Sequence, residues 1–539
     1  MFARYYHTLR YLKFTQLYWR LYYRCVKVKP DCSKAPAIQD AHGEWISPVV
    51  KPKKIIGNQE FCFLNQCNVL KSAVDWNNPK LDKLWLYNLH YFDDLNADNA
   101  SQREKIHVNL INRWIEENSI GHGNGWEPYP ISIRIVNWIK WAHAGNRMEE
   151  EWLQSLATQI RYLVKKIEWH LLGNHLFANA KALVFAGLYF EGSEADSWLI
   201  KGLAIIEKEL PEQVLDDGGN FELSTMYHAI FLEDLLDISN VLRCYGREIS
   251  SKLTDTIPKM FSWMNAMNHP DGEISFFNDA AFGIAAKPEE LAQYAHRLGF
   301  LLNKSAVPDL AYFNASGYMR AANHDALVLM DVARIGPDYL PGHAHADTLS
   351  FEFSLFKSRV IVNSGTSCYG TSKERLRQRS TSAHNTVEIN GENSSEVWGG
   401  FRVARRARPI NPKCWRTDSF LHVSGAHDGY RRLPGSPTHQ REIVLGEKLL
   451  TIIDCIEGQF KTAVSRFYFP PSIQATIDDS GNSGRLTLPD GKIITWCAKG
   501  CKGQLVESTY HPEFGKSLKT NRMEFTFSTS KIEVRLNWN

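Results

Sequence analysis

The chain reads as a multidomain α+β protein in which helices come first and strands follow. Three observations carry that reading. At 539 residues the chain is too long for one ordinary core. From about Leu81 to about Lys304 apolar residues recur at three and four, as in Ile160, Leu163, Val164 and Ile167, the spacing of amphipathic helices. After about Tyr312 the period changes to two. Runs of helices followed by runs of strands imply two segregated domains.

Residues 1–80 read as a lead-in. Met1 to Pro30 is rich in Tyr, Arg and Lys, and charges at Arg4, Arg10, Lys13 and Arg20 interrupt every apolar run. That pattern lacks the apolar centre and cleavage site of a secretory signal. No run approaches the roughly 20 apolar residues that cross a bilayer. A cytoplasmic location is expected, with the periplasm as the alternative. A basic, aromatic amphipathic helix in this segment would pack against the rest of the protein or lie on a membrane surface. Residues 31–80 look irregular and extended.

Residues 81–312 form the helical domain. Helix-length segments are expected at Gln102–Asn118, Ile131–Ala144, Glu150–Leu171, Leu176–Phe190, Ala195–Leu210, Thr225–Tyr245, Ser251–Met267 and Pro288–Leu301. Paired helices in succession point to an α/α toroid or solenoid. In residues 313–539, strands are expected at Ala326–Ala333, Thr348–Phe356, Arg359–Val362, Glu442–Leu445, Leu449–Ile456, Val464–Phe469, Ile493–Cys497 and Met523–Phe527. Asp490-Gly491 and Gly399-Gly400 mark turns between them.

A net charge of +3 excludes a bulk polycation built for nucleic acid. The positive charge is local: Arg375, Arg377 and Arg379 precede His384, and Arg402, Arg405, Arg406 and Arg408 follow it. Such a run is either a solvated surface or an electropositive cleft that concentrates an anionic substrate. Aromatic content is high, with 16 Trp. Ring faces suit sugars as well as cores, and Trp126, in loop-like Gly125-Trp126-Glu127-Pro128-Tyr129, is the candidate sugar platform. The ten scattered cysteines form no Cys-x-x-Cys pair and read mostly as free thiols.

The chemistry concentrates in Pro341-Gly342-His343-Ala344-His345-Ala346-Asp347, Asn363-Ser364-Gly365-Thr366 and Ser382-Ala383-His384-Asn385-Thr386. Histidine is the commonest metal ligand and titrates near neutrality. In a regular strand His343 and His345 would face one side, although Pro341-Gly342 bends the entry. In the helical half, Asn174 and His175 stand where an N-cap belongs. Capping is one role for Asn174; docking an anion at the positive helix end is the other. Tyr227 follows Ser224, a plausible N-cap. It is either a packed aromatic or a phenol whose pKa of about 10 nearby cations would lower. Arg134 would bind a substrate anion or pair with Glu127.

Asn174-His175, Tyr227-His228, His343-Ala344-His345-Ala346-Asp347 and His384-Asn385-Thr386, in this order across a helix-to-strand switch, resemble the heparinase II/III family of polysaccharide lyases. The resemblance runs from about Leu84 to about Pro409. It implies an N-terminal (α/α) toroid followed by a C-terminal antiparallel β-sandwich, with the cleft between them. It also implies β-elimination beside a uronic acid: neutralise the carboxylate, remove the C5 proton, protonate the departing O4. Developing enolate charge is best met by preorganised donors.

The resemblance places Asn174 and His175 at the substrate carboxylate, with His175 a base toward some epimers. Tyr227 removes and returns protons, His343 is catalytic, and Glu222 supports the site. Trp126, Arg134, Arg379 and Arg402 complete the expected substrate-binding set. His345 and His384 would bind a divalent metal, often zinc, in a structural role. The family's third ligand is usually Asp where this chain has Asn363, a neutral and weaker ligand; Asp347 is a substitute. The expected partner is an anionic polysaccharide or oligosaccharide, a glycosaminoglycan such as heparan sulfate, hyaluronan or chondroitin, or alginate. Two alternatives stand beside it. An inverting glycoside hydrolase would need two carboxylates across the cleft, such as Glu222 and Asp279. A catalytically inactive glycan-binding protein would accommodate the Asn363 departure.

Overall fold

A computed structural model describes residues 2–57, 59–302 and 307–539. Lys304, the expected end of the helical pattern, lies outside them. The lead-in opens with α1 (Phe2–Leu9) and α2 (Phe14–Cys25), then a small hairpin of Glu60–Phe63 and Gln66–Val69. Cys62 and Cys67 oppose each other in that hairpin and form a disulfide. The expectation of free thiols fails there because a hairpin register places the two side chains face to face. The other eight cysteines are free.

The (α/α) toroid is built from α3 (Lys83–Tyr91), α4 (Glu104–Glu117), α5 (Pro128–His143), α6 (Glu150–Lys165), α7 (Gly173–Tyr189), α8 (Ser193–Gln213), α9 (Thr225–Cys244), α10 (Ser251–Met267) and α11 (Pro288–Arg297). The amphipathic period located most of these to within a few residues. α7 packs on α5, α8 and α9 and is buried on nearly every side, as expected of a helix apolar all round. Its contact with α8 is close. A Cβ on Gly202 would stand 2.8 Å from Val184 Cγ2 and 2.9 Å from the Ala180 carbonyl. No described helix is long and apolar enough to cross a membrane.

The C-terminal half is an antiparallel β-sandwich. Five strands from Leu310–Phe313 to Ser358–Ile361 pair in sequence order, and an eight-stranded and a four-stranded antiparallel sheet carry most of the rest. Val328, Phe351, Phe353, Ile443, Ile452, Phe467, Phe525 and Val534 form its core. A short helix, α12 (Lys373–Gln378), precedes His384.

Two expected substrate residues belong to the toroid core instead. Trp126 is 4% exposed, and its ring meets Trp114 and Tyr162 at 5.8 and 5.5 Å. A short turn after Gly125 folds it inward, so the loop signal was real but the side chain is not a platform. Arg134 is fully buried. It donates to Gln159 Oε1 at 2.8 Å, to the His90 carbonyl at 3.1 Å and to the Gly125 carbonyl at 2.8 Å, and stacks on Trp114. Glu127 pairs with Lys83 instead. Arg134 therefore ties α3, α5 and α6 together. Arg134→Leu leaves three buried acceptors unpaired and should destabilise by about 2–5 kcal/mol, read from the denaturant midpoint. Weaker glycan binding at unchanged stability would restore the substrate role.

Candidate active site

A cavity of about 1040 Å³ is lined by both halves of the chain; Asn174, His175, Glu222, Tyr227, His343 and Arg402 all face it. At the entry to α7, Leu172 and Gly173 both take positive φ, +67° and +56°. Leu172, not Asn174, occupies the cap position, and no side chain caps it. The Asn174 amide instead donates to Glu222 Oε1 at 3.2 Å, which puts a carboxylate where the helix dipole favours one. Gly173 makes this possible: a Cβ there would lie 2.7 Å from Glu222 Oε1 and 2.3 Å from Leu340 Cδ2. His175 Nδ1 lies 3.1 Å from Glu168 Oε1, with the ring 4.6 Å from that of Tyr129. Burial opposes charge on His175, but attraction and hydrogen bonding from Glu168, helped by Glu222 and Glu127, outweigh it and raise the pKa.

Ser224 caps α9 and accepts from the Tyr227 amide at 3.2 Å. Tyr227 thus sits in the first turn. Its hydroxyl is 2.8 Å from that of Tyr369, and its ring centroid is 3.9 Å from that of His343. The expected cation-lowered phenol is not found. Burial pushes Tyr227 well above the ordinary tyrosine value, and Tyr369, Asp279 and Glu222 push the same way. Tyr369 carried no sequence signal; only the fold brings Cys368-Tyr369-Gly370 over α9.

His343 and His345 lie in a loop, not a strand. They converge on Asp279 from two sides: His343 Nδ1 is 2.9 Å from Oδ2 and His345 Nε2 is 2.8 Å from Oδ1. Arg375 grips the same carboxylate through both terminal nitrogens, one of them at 2.7 Å. Burial works against a charge on Asp279, yet Arg375 and the two histidines hold it well below the usual carboxylate range. An ionised Asp279 only accepts, so each histidine donates the nitrogen that faces it. His343 Nε2 is left toward Glu222 Oε2, 3.7 Å away, an oxygen without a hydrogen-bond partner.

Behind this layer, one ligand atom from each of His345, Asp347 and His384 falls within 4.8 Å of the others, all buried. Asn363 stands outside the trio. Its Nδ2 donates to the Phe276 carbonyl at 2.8 Å, and its Oδ1 accepts from the Asn385 amide at 3.3 Å and faces His384 Nδ1 at 3.1 Å. The amide therefore occupies the side of His384 turned away from His345, and the carboxylate of the group is Asp347.

The arginine run is mostly consumed internally. Arg379 is fully buried and donates to the Ala344 carbonyl at 2.7 and 3.1 Å, so it holds the backbone between His343 and His345 and does not reach the cavity. Arg377 pairs with Glu374, Arg405 with Glu396 and Arg406 with Asp338. Among the described residues, Arg402 is the one of the seven that lines the cavity. Of the two carboxylates named for a hydrolase, Asp279 has both oxygens bound by His343, His345 and Arg375, and Glu222 keeps one oxygen without a hydrogen-bond partner.

Residues 1–298 match the family model "Heparinase II/III N-terminus", and residues 306–539 match "Heparinase II/III-like, C-terminal". A heparin-sulfate lyase of Bacteroides stercoris is 28% identical over 460 residues, which cover 79% of this chain and 63% of that protein. A heparin-sulfate lyase of Pedobacter heparinus is 26% identical over 392 residues, 64% of this chain and 55% of that protein. The chain thus spans less than two thirds of these relatives. A crystal structure of heparinase III superposes with a TM-score of 0.68 at 17% identity, covering 85% of this chain and 76% of that one. A chondroitin AC lyase of Streptomyces coelicolor A3 gives 0.55 at 7% identity, covering 90% and 77%. These likenesses establish the toroid-plus-sandwich fold.

His175 supplies a pH prediction. Its folded pKa is raised, so its contribution to stability is fully present below the unfolded value of about 6.5 and is lost as pH rises through the folded value. By NMR the His175 ring should titrate above about 6.5 in the native protein. In Glu168→Gln burial dominates and the midpoint should fall. A native midpoint at or below the unfolded value would refute the Glu168 contact.

Proposed function

The chain belongs to the heparinase II/III family, and from that premise we propose that it is a lyase cleaving a uronate-containing glycosaminoglycan by β-elimination. One observation carries the reading: the phenol of Tyr227, the imidazole of His343 and the Asn174-His175 helix start face one cavity. Heparan sulfate is the first substrate to try, because the two relatives above are named heparin-sulfate lyases.

In this reading the uronate carboxylate docks against Asn174 and the protonated His175 at the start of α7, where helix end and imidazolium both favour an anion. That interaction makes the C5 proton acidic. His343 donates Nδ1–H to Asp279, so its Nε2 is the base that takes the C5 proton. Tyr227 is held neutral, so its hydroxyl protonates O4 as the C4–O4 bond breaks and the C4–C5 double bond forms. The phenolate left behind accepts from the Tyr369 hydroxyl. Transfer of the proton from His343 to Tyr227, whose rings are in contact, resets the site.

The residues behind His343 fit a structural divalent ion. His345 gives its Nε2 proton to Asp279, and His384 faces the Asn363 acceptor through Nδ1. Burial keeps both rings neutral, lowering His345 to about 4 and His384 well below the ordinary value. The remaining nitrogens, His345 Nδ1 and His384 Nε2, then present lone pairs to each other at 3.1 Å. Two nitrogens each about 2.0–2.1 Å from one tetrahedral zinc would stand about 3.3 Å apart. His345, His384 and Asp347 would hold the ion, which when bound would brace the loop carrying His343.

Tyr227→Phe keeps the ring and removes the proton. Turnover, followed by ultraviolet absorbance of the unsaturated uronate, should fall by about 10²–10⁴-fold. Near-native turnover would remove Tyr227 from the chemistry. New reducing ends without that absorbance would indicate a hydrolase, and neither signal on any glycosaminoglycan or alginate would indicate a binding protein. Elemental analysis of protein purified without chelator should find about one zinc-like ion per chain, and its removal should misplace His343 and lower turnover by about 10²-fold. Metal-free protein with full activity would refute the brace.

A further inference from the structure

The N-terminal hairpin of α1 and α2 is not a free appendage. Residues 2–30 hold seven Lys or Arg and no Asp or Glu. On the toroid side, Lys13 pairs with Glu212, and the Tyr23 hydroxyl donates to the Ile167 carbonyl at 2.6 Å. On the sandwich side, Trp398 Nε1 donates to Thr8 Oγ1 at 3.1 Å, and the Arg406 guanidinium lies 3.9 Å from the Tyr11 ring. Gln16, almost fully buried, donates to the carbonyl of Tyr339, in the loop that leads to His343. The hairpin therefore straps the two halves together, and its inner face, including Tyr5, Gln16 and Arg20, lines the cavity.

The cations of this cavity divide into two kinds. Lys51, Lys83, Lys140 and Lys181 line it but are each ion-paired within the protein. Arg20 and Arg402, like Lys53 and Lys54, line it with no carboxylate partner among the described residues. The Arg402 guanidinium lies over the ring of Trp398 at 4.8 Å, and Tyr5 meets the same ring edge-on at 5.0 Å. Burial, then repulsion from Arg402 and Arg24, lowers the pKa of Arg20, as expected of cations gathered without a counterion.

We propose that Arg20 and Arg402 form an anion subsite that takes the carboxylate or sulfate of a sugar flanking the one cleaved, so that the N-terminal hairpin is part of the substrate-binding surface. Two planar guanidinium forks match a carboxylate or a sulfate ester geometrically. Trp398 and Tyr5 offer ring faces and edges to the sugar that carries it. The inference rests on the glycan-cleaving reading of the same cavity, and it concerns binding rather than bond breaking.

The test measures binding without turnover. In the Tyr227→Phe protein, calorimetry compares a heparan sulfate hexasaccharide with an unsulfated hexasaccharide of the same uronate backbone. Adding Arg20→Gln should weaken binding about tenfold, whereas Arg24→Gln, on the same helix but off the cavity wall, should change it less than about twofold. Loss with both glycans identifies the carboxylate as the ligand group; loss confined to the sulfated one identifies the sulfate. Arg20 makes no hydrogen bond among the described residues, so the thermal midpoint should stay constant. Unchanged affinity for both glycans in Arg20→Gln overturns the subsite. Absence of unsaturated product from the native protein overturns the lyase reading alone, and absence of glycan binding by the parent protein overturns both.

Discussion

Asp279 lies fully buried between the end of the toroid and the first sheet of the sandwich, and it accepts from His343, His345 and both terminal nitrogens of Arg375. Such a charge survives burial only when paired and fully hydrogen-bonded. Here the donors all come from the C-terminal half, while Asp279 itself follows α10. Its backbone joins the same lattice, since the Asp279 amide donates to the His343 carbonyl and its carbonyl accepts from the Ser224 hydroxyl that caps α9. One side chain thereby sets the distance between the helix that carries Tyr227 and the loop that carries His343. Losing either partner of a buried pair of this kind costs about 3–5 kcal/mol, so the active geometry and the domain contact are stabilised together.

The same carboxylate fixes proton positions. Because an ionised Asp279 cannot donate, the tautomers of His343 and His345 follow from it. Each histidine then turns its other nitrogen away from Asp279, His343 Nε2 toward Glu222 and His345 Nδ1 toward His384. The two contacts are therefore consequences of one charge. Arg379, which holds the Ala344 carbonyl between them, keeps the two histidines on opposite sides of Asp279.

Much of the fold was legible because periodicity reports which face is buried. The helices of the toroid are amphipathic or wholly apolar, and their limits followed from that pattern. Strands Pro409–Arg416, Leu421–His427 and Lys502–Tyr510 were not foreseen, since polar residues such as Lys413, Ser424 and Gln504 blur the alternation. At the site, Asn174, His175, Tyr227 and His343 line one cavity, but sequence could not say what opposes them. Arginines look alike whether they meet solvent, as Arg402 does, or a buried carboxylate, as Arg375 does. Trp126 has the neighbours of a loop residue and the burial of a core residue. Asp279 and Tyr369 lie far from the motifs in sequence, and only the chain path joins them.

In the proposed reading, the distribution of charge in the cavity is what would let a nearly neutral protein select an anionic chain. Most lining lysines are already neutralised by Glu233, Glu127, Asp234 and Asp237, so they add little net potential. What remains without a carboxylate partner among the described residues is Arg20, Arg402, Lys53 and Lys54 on the cavity wall. Glu168 stands behind His175 and raises its pKa, and a substrate carboxylate in front would raise it further. Binding and proton inventory are thus linked. In the proposed reading the acid substrate would strengthen the cation that neutralises it, while Tyr227, pushed up by burial, Tyr369 and the anions Asp279 and Glu222, would keep the proton that the leaving oxygen requires.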